Sequence, residues 1–303
     1  MAISLSSSIP RISRRRFLVG GTFGAAGLAL YSGEVERHWL DVTRRDFFVS
    51  GLPAAFNGMK IVQVSDIHLD EFTEPIFLRH VVDRVNAIKP DLVLLTGDFV
   101  TATIHSRGVR KLTTTKSARV AAWQCGGILS GLNCKARYAV LGNHDFGVGP
   151  QEVVAALETN GISVLRNACT PIERAGARFW LAGLDDPLEG RPDPGLAIPE
   201  SIRNVPNEPV ILMCHGPDYA DDLLSHPAGP AVDMMLSGHS HGGQIRLPLV
   251  GAMVLPPYGR KYVEGWFRLG RLQLYVNRGI GTVGLPFRFN CPPELTIITL
   301  RSC

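Results

Sequence analysis

Most of the residues able to do chemistry in this 303-residue chain fall in five short segments: Asp66-Ile67-His68, Gly97-Asp98, Gly142-Asn143-His144-Asp145, the lone His215, and Gly238-His239-Ser240-His241. These segments hold five of the nine histidines. Each one closely follows a short apolar run: KIVQV, DLVLL, YAVL, VILMC or VDMML. A single Asp after Thr-Gly is ordinarily a turn or a cap, and a single strand-end histidine is ordinarily a hydrogen-bonded core residue. All five at strand ends is a different matter, because the crevice at the carboxyl ends of strands is where open α/β sheets bind ligands. Imidazole nitrogens mixed with carboxylate oxygens suit Mn²⁺, Fe or Zn²⁺, whereas Ca²⁺ and Mg²⁺ prefer oxygen shells. Imidazoles, one shared carboxylate and an amide oxygen are the makings of a two-ion site. Ions about 3.5–4 Å apart clamp the attacking and leaving oxygens of a phosphoryl group.

Two other motifs compete for attention. Gly238–Gly242 also reads as G-x-S-x-G, a nucleophile elbow with Ser240 as the acylating serine. That chemistry needs an acid and then a histidine further along the chain. His241 is the last histidine and no aspartate follows Asp233, so Ser240 is a spacer between two ligands. Gly279–Gly284 reads as G-x-G-x-x-G, but Pro286 arrives where a dinucleotide site needs a helix. Its glycines are expected to let the backbone pass close to the site or to turn between strands.

The elements that must carry these residues alternate. Lys60–Val64 reads as a strand, Ile76 to Ile88 as a helix closed by Pro90, and Asp91–Leu95 as the next strand. A helix over Ser117–Leu129, a strand over Tyr138–Leu141 and a helix over Pro150–Asn160 follow. This βαβα order predicts a largely parallel sheet in the first half. Apolar runs at 178–182, 209–214, 232–236, 272–276 and 295–299 predict a second, mixed sheet. The proline-rich stretch 186–207 reads as a surface loop.

Charge is unevenly placed. Arg11, Arg14, Arg15 and Arg16 account for the net charge of +4, leaving 27 basic against 27 acidic residues in the remainder. No specific nucleic-acid partner is expected of that balance. Ser13–Leu18, SRRRFL, has the twin-arginine pattern, and the apolar run Phe17–Tyr31 would span only about 22 Å as a helix, short of a bilayer core of roughly 30 Å. Residues 1–33 are therefore expected to be an export signal for the twin-arginine translocation machinery, either removed or, in the absence of a clear cleavage site, retained as a membrane tether, with a basic surface arm as the alternative. Residues 34–57 are expected to be a linker and strand, and 58–303 the metal-bearing domain. The six cysteines form no C-x-x-C pair. Cys125 and Cys134 are placed for a bridge in an oxidising compartment or for two free thiols.

Taken in order, D-x-H, G-D, G-N-H-D, a strand-end His and G-H-x-H resemble the calcineurin-like metallophosphoesterases over roughly residues 58–300. GGQIRLP, PPYGRKYVEGWF and RGIGTVGLPFRFNCPPELTIITL further resemble a bacterial exported or membrane-anchored branch, similar to UDP-2,3-diacylglucosamine pyrophosphatases and cell-wall phosphodiesterases. The resemblance implies a four-layer α/β/β/α sandwich of two mixed sheets with the metal site at strand carboxyl ends. It implies one ion on Asp66, His68, Asp98 and His241, and a second on Asp98, Asn143, His215 and His239, most simply both Mn²⁺. His144 would stand beside the metals to steady phosphoryl charge or protonate the leaving oxygen, with Asp145 orienting it. The segment CHGPD around His215 departs from the family pattern in its loop, not in its ligand.

Between Asp98 and Asp145 lie seven bases and no acid. This segment, with Arg107, Arg110 and Lys111, and Arg278 from the C-terminal region, reads either as a solvated basic surface or as a positive rim for a lipid-phosphate or cell-wall substrate at a membrane surface. Trp123, Ile128, Leu129 and Leu132 suit either an acyl chain or ordinary helix packing. A phosphodiesterase or pyrophosphatase of the extracytoplasmic envelope is the leading expectation. A nuclease or general phosphodiesterase and a non-catalytic metal-binding envelope protein are the alternatives.

Overall fold

Apolar runs that read as uninterrupted in the sequence become strands buried on both faces. The computed structural model describes residues 13–70, 72–102, 115–203 and 205–302. Helix α1 (Arg14–Leu30) precedes β1 (Asp41–Val49) and β2 (Lys60–Val64). Next come α2 (Pro75–Ile88), β3 (Leu92–Leu95), α3 (Thr115–Leu129), β4 (Arg137–Ala139), α4 (Asn143–Val148), α5 (Pro150–Thr159) and β5 (Ser163–Val164). The second half contains β6 (Ala168–Arg174), β7 (Ala177–Gly183), α6 (Pro194–Ala197), β8 (Val210–Met213), α7 (Tyr219–Ser225) and β9 (Val232–Ser237). It ends with the small hairpin β10 (Arg246–Leu247) and β11 (Gly251–Ala252), then β12 (Gly265–Leu269), β13 (Leu272–Val276) and β14 (Glu294–Ser302).

Two six-stranded sheets result, ordered β1-β14-β2-β3-β4-β5 and β12-β13-β9-β8-β7-β6. In the first, β2 to β5 run parallel and β14 pairs antiparallel with β2. The second has parallel β7, β8, β9 and β13 with an antiparallel strand at each edge. Both sheets are mixed, as expected, and helices cover their outer faces.

Side-chain alternation builds the layers. Val62, Val64, Val93 and Leu95 face one way and pack with Phe77, Leu78 and Val81 of α2, Ala122 and Leu129 of α3, and Val153 and Leu157 of α5. Ile61, Leu92 and Leu94 face the other way, meeting Phe179, Leu181, Ile211, Met213, Met234 and Leu236 between the sheets. Leu212, Met235 and Leu274 then cover the far side of the second sheet with Ile198, Ile202 and Leu223. Burial on both faces is what parallel strands under crossover helices require.

Several boundaries differ from the sequence reading. The strand expected over Tyr138–Leu141 covers Arg137–Ala139, because Gly142 onward already turns into α4. Residues 186–207 are not a plain surface loop: Asp193 caps α6, and Ala197, Ile198 and Ile202 are buried under the second sheet. Ile128, Leu129 and Leu132 belong to the helical core, so packing, not an acyl chain, explains them. Cys125 and Cys134 are free thiols. Arg107, Arg110 and Lys111 lie outside the described residues.

Candidate metal centre

The two sheets bring the carboxyl ends of β2, β3, β4, β8 and β9 to one rim. Short backbone bonds lock the loops there. Asp66 N–H donates to Gly97 O at 2.9 Å, His68 N–H to Asp98 O at 2.9 Å, and Gly238 N–H to His215 O at 3.1 Å. The glycine-rich segment after β13 closes the far side, with Ile280 N–H on Ser65 O at 3.0 Å and Gly281 N–H on Asp66 O at 2.7 Å. A Cβ at Gly279 would stand 2.5 Å from the Asp66 Cβ, so these glycines do let the backbone pass against the site.

All seven residues expected to ligate metal converge there. Asp66, His68 and His241 form one group of three donors, Asp98, His215 and His239 another, and His68, Asp98 and His144 a third between them. Asp98 Oδ2 lies 3.2 Å from His215 Nε2 and 3.4 Å from His68 Nε2, between the two groups. His241 Nε2 is 3.4 Å from Asp66 Oδ1. Asp66, His68, Asp98, His239 and His241 have φ between 47° and 71°, the left-handed region that residues with a Cβ seldom enter. Such backbone persists where the surroundings force it, typically at functional sites.

Hydrogen bonding assigns the imidazole tautomers. His215 Nδ1–H donates to Thr96 O at 2.6 Å, leaving a lone pair on Nε2. His239 Nε2–H donates to Pro257 O at 2.7 Å, leaving Nδ1 free to ligate. Thr101 gives its hydroxyl proton to Asp70 at 2.6 Å and so accepts from His68 Nδ1 at 3.3 Å, leaving the His68 Nε2 lone pair. Fixing the tautomer in this way is how outer-shell groups support a metal-binding histidine. His144 is turned the other way. Its Nδ1 accepts Ala102 N–H at 3.0 Å, so the neutral ring carries its hydrogen on Nε2 and offers a donor instead of a lone pair.

The fit to metal rests on two stranded atoms. His215 Nε2 and Asn143 Oδ1 are both buried and neither has a hydrogen-bond partner. Buried polar atoms are seldom left so, and a divalent cation would satisfy both. Electrostatics point the same way. Burial opposes a charged His215, yet Asp98 and Asp66 beside it raise its pKa well above 6.5, so in the metal-free chain a proton takes the place on Nε2 that a cation would occupy. Burial lowers His144 and His239 to about 4 each, keeping those rings neutral.

Asp145 does not orient the His144 ring. Its Oδ2 accepts the N–H of Asp98 at 2.8 Å and of Gly142 at 2.9 Å, and its Oδ1 accepts Phe99 N–H at 2.9 Å. It positions the two loops that bear Asp98 and Asn143. Arg278 is likewise not a free rim cation. Its guanidinium meets Asp41 at 2.7 Å and Glu294 at 3.2 Å, so ion pairs hold it away from the cleft.

Three features escaped the sequence reading. Arg288 is completely buried and spends its guanidinium on the carbonyls of Arg278, Gly279, Gly281 and Cys291, with Nη2 3.4 Å from His241 Nδ1. The only signal was one cation inside the apolar stretch LPFRFNC. Asp186, also buried, accepts Leu188 and Glu189 N–H at 2.8 Å each and turns both residues toward the cleft. Burial raises its pKa to about 6. The third is an apolar wall of Ile245, Met253, Val254, Val283 and Leu285 facing the metal cluster across a cleft of about 850 Å³.

The clustered His and Asp side chains make a candidate divalent-metal site at the strand ends of a two-sheet sandwich. Residues 59–243 match the calcineurin-like phosphoesterase family, and the chain belongs to it. It is 34% identical to the uncharacterized metallophosphoesterase YkuE of Bacillus subtilis, over 96% of this chain and 99% of that one. Identity is 33% to the phosphodiesterase YaeI of Escherichia coli, over 95% of this chain and 99% of that one. To the UDP-2,3-diacylglucosamine pyrophosphatase LpxG of Chlamydia trachomatis it is 27%, over 89% and 92%. The chain is a metallophosphoesterase, a phosphoester hydrolase.

Proposed function

We propose that this enzyme cleaves the phosphodiester or pyrophosphate bond of an amphipathic cell-envelope compound such as UDP-2,3-diacylglucosamine or a related phospholipid. One observation carries the reading: the candidate metal cluster faces an aliphatic wall across a single cleft. A lipid phosphoester presents that same pairing of anionic and apolar parts. The names of the relatives, a phosphodiesterase and a diacylglucosamine pyrophosphatase, support the same class.

In this reading Asp66, His68, Asp98 and His241 hold one ion, and Asp98, Asn143, His215 and His239 the other. Mn²⁺ suits the mixed nitrogen and oxygen set, with Fe or Zn²⁺ as alternatives. Bound divalent ions supply Lewis-acid stabilisation of phosphoryl charge and a nucleophilic water at neutral pH. His144, neutral with hydrogen on Nε2, donates to a phosphoryl or leaving oxygen. Arg14–Arg16 in the first turn of helix α1, followed by its apolar residues, support export by the twin-arginine route and retention at the extracytoplasmic membrane face.

The test begins with hydrolysis of bis-p-nitrophenyl phosphate by Mn²⁺-reconstituted protein, abolished by chelator. A panel of UDP-2,3-diacylglucosamine, phospholipid, teichoic-type polymer and DNA then decides the substrate. Preference for the lipids is expected. Preference for DNA would move the assignment to a nuclease, and metal binding without turnover would move it to a binding protein.

A further inference from the structure

The apolar cleft wall continues outward into the solvent. Leu249 and Val250 form the tip of the β10–β11 hairpin and are 108% and 71% exposed; Met253, Val254 and Leu285 behind them are 54%, 78% and 55% exposed. Isolated surface aliphatics are ordinary, but a contiguous group beside a ligand cleft marks an interaction site. Leu249 also has φ 67°, where Asn, Asp or Gly is the natural choice. Neither the backbone nor water favours a leucine there, and the fold gains no packing from it.

A second apolar surface begins alongside. Helix α1 buries none of its residues, and Phe17, Leu18, Phe23 and Leu30 are each at least 65% exposed. No described helix is long and apolar enough to cross a membrane. At its C-terminal end Ala29, Leu30 and Gly33 share a groove with Pro286 and Phe287, the residues that directly follow Leu285 of the cleft wall. At its start stand Arg14–Arg16, with no acidic residue in its first turn. The exposed helix therefore ends at the lip of the cleft, and its arginines complement anionic headgroups.

We infer that the hairpin tip, Leu249–Val250 with Met253, Val254 and Leu285, is a second membrane contact. It seats the mouth of the metal cleft on an anionic lipid bilayer that α1 also engages. An amphipathic substrate would then reach the cluster along the aliphatic wall without its acyl chains crossing water. This inference deepens the lipid-substrate reading and rests on it, but its readout is position and not turnover.

The experiment uses the full chain with Cys134, Cys169 and Cys303 replaced by Ser and one environment-sensitive fluorophore on Val250→Cys. The control label sits on Ala175→Cys, exposed at the opposite end of the strands that lead to the site. Vesicles of phosphatidylglycerol and phosphatidylethanolamine are added, with or without nitroxide-bearing acyl chains. At position 250 a blue shift and at least about twofold quenching by the nitroxide lipid are expected, with position 175 unchanged. Retained hydrolysis of bis-p-nitrophenyl phosphate certifies that the labelled chain is folded. An unshifted label at 250 on vesicles that have bound the protein overturns the inference and leaves the catalytic reading standing. A shift that follows protein concentration without vesicles overturns it as well, assigning the patch to self-association. Insertion at 250 with no lipid hydrolysis would retain the contact and remove the substrate reading.

Discussion

Asp145 and Asp98 are joined through the backbone: the Asp145 carboxylate receives the Asp98 N–H at 2.8 Å, and Asp98 in turn receives the His144 N–H at 2.9 Å through its Oδ1. The two loops that carry the central carboxylate and the cleft histidine are thus held by reciprocal bonds. Asp145→Asn keeps the size but replaces one acceptor oxygen with a donor, which then faces a buried amide. A 10- to 100-fold loss of metal affinity or activity is expected, in line with outer-shell substitutions. Isothermal titration with Mn²⁺ and kcat on bis-p-nitrophenyl phosphate measure it, and wild-type values for both would refute the positioning role.

Asp98 itself is the most exposed to damage by substitution, since its carboxylate stands near ligating atoms of both groups. Asp98→Asn should lower the divalent-metal content of the chain and reduce kcat by about two to three orders of magnitude. Elemental analysis after gel filtration reports the first effect and steady-state kinetics the second.

His144→Ala separates catalysis from metal binding. The ring offers Nε2–H and no lone pair to the cleft, so metal content should stay unchanged while kcat falls about 10²- to 10⁴-fold. Burial lowers the ring's pKa to about 4. It remains neutral through pH 5–8 and protonates only in more acidic solution. The activity limb due to this residue should therefore lie below about pH 5, and its removal should not alter the profile near neutrality.

Glu294 gives a stability prediction away from the metals. Burial would raise its pKa, but the adjacent Arg278 charge and hydrogen bonds from Thr43 and Tyr275 outweigh that and hold it below 4.5. The folded carboxyl thus has the lower pKa, so its contribution is complete above about pH 4.5 and shrinks as pH falls toward the folded value. Glu294→Gln should cost about 3 kcal/mol at pH 7, as for other broken buried pairs. Urea unfolding of both proteins at pH 7 and pH 3.5 should show the gap narrowing in acid.

Much of this was legible in the sequence, for identifiable reasons. The candidate ligands are polar residues placed at the ends of apolar runs, and interruptions of that kind stand out. Whether Val62 faced helices or the second sheet could not be read, because strands buried on both faces show no alternation. Asp145 misled because adjacency to His144 suggested a side-chain pair, whereas a carboxylate at the start of a short helix turns back to nearby amides. Arg278 read as free since its partners, Asp41 and Glu294, are distant in sequence or hidden in a strand. The aliphatic cleft wall was overlooked because residues 245–255 resemble core. Only the position of the hairpin, outside both sheets, shows that they face water.

The left-handed backbone at Asp66, His68, Asp98, His239 and His241 has a bearing on how this chain could be improved or spoiled. Each such residue costs about 1–3 kcal/mol unless its surroundings repay it, and glycine would relax most of that burden. Selection for heat resistance of the cation-free chain should therefore favour glycine at the positions that catalysis cannot give up. A screen for robust variants would need to score turnover alongside melting temperature, or it would enrich sturdy, inert proteins.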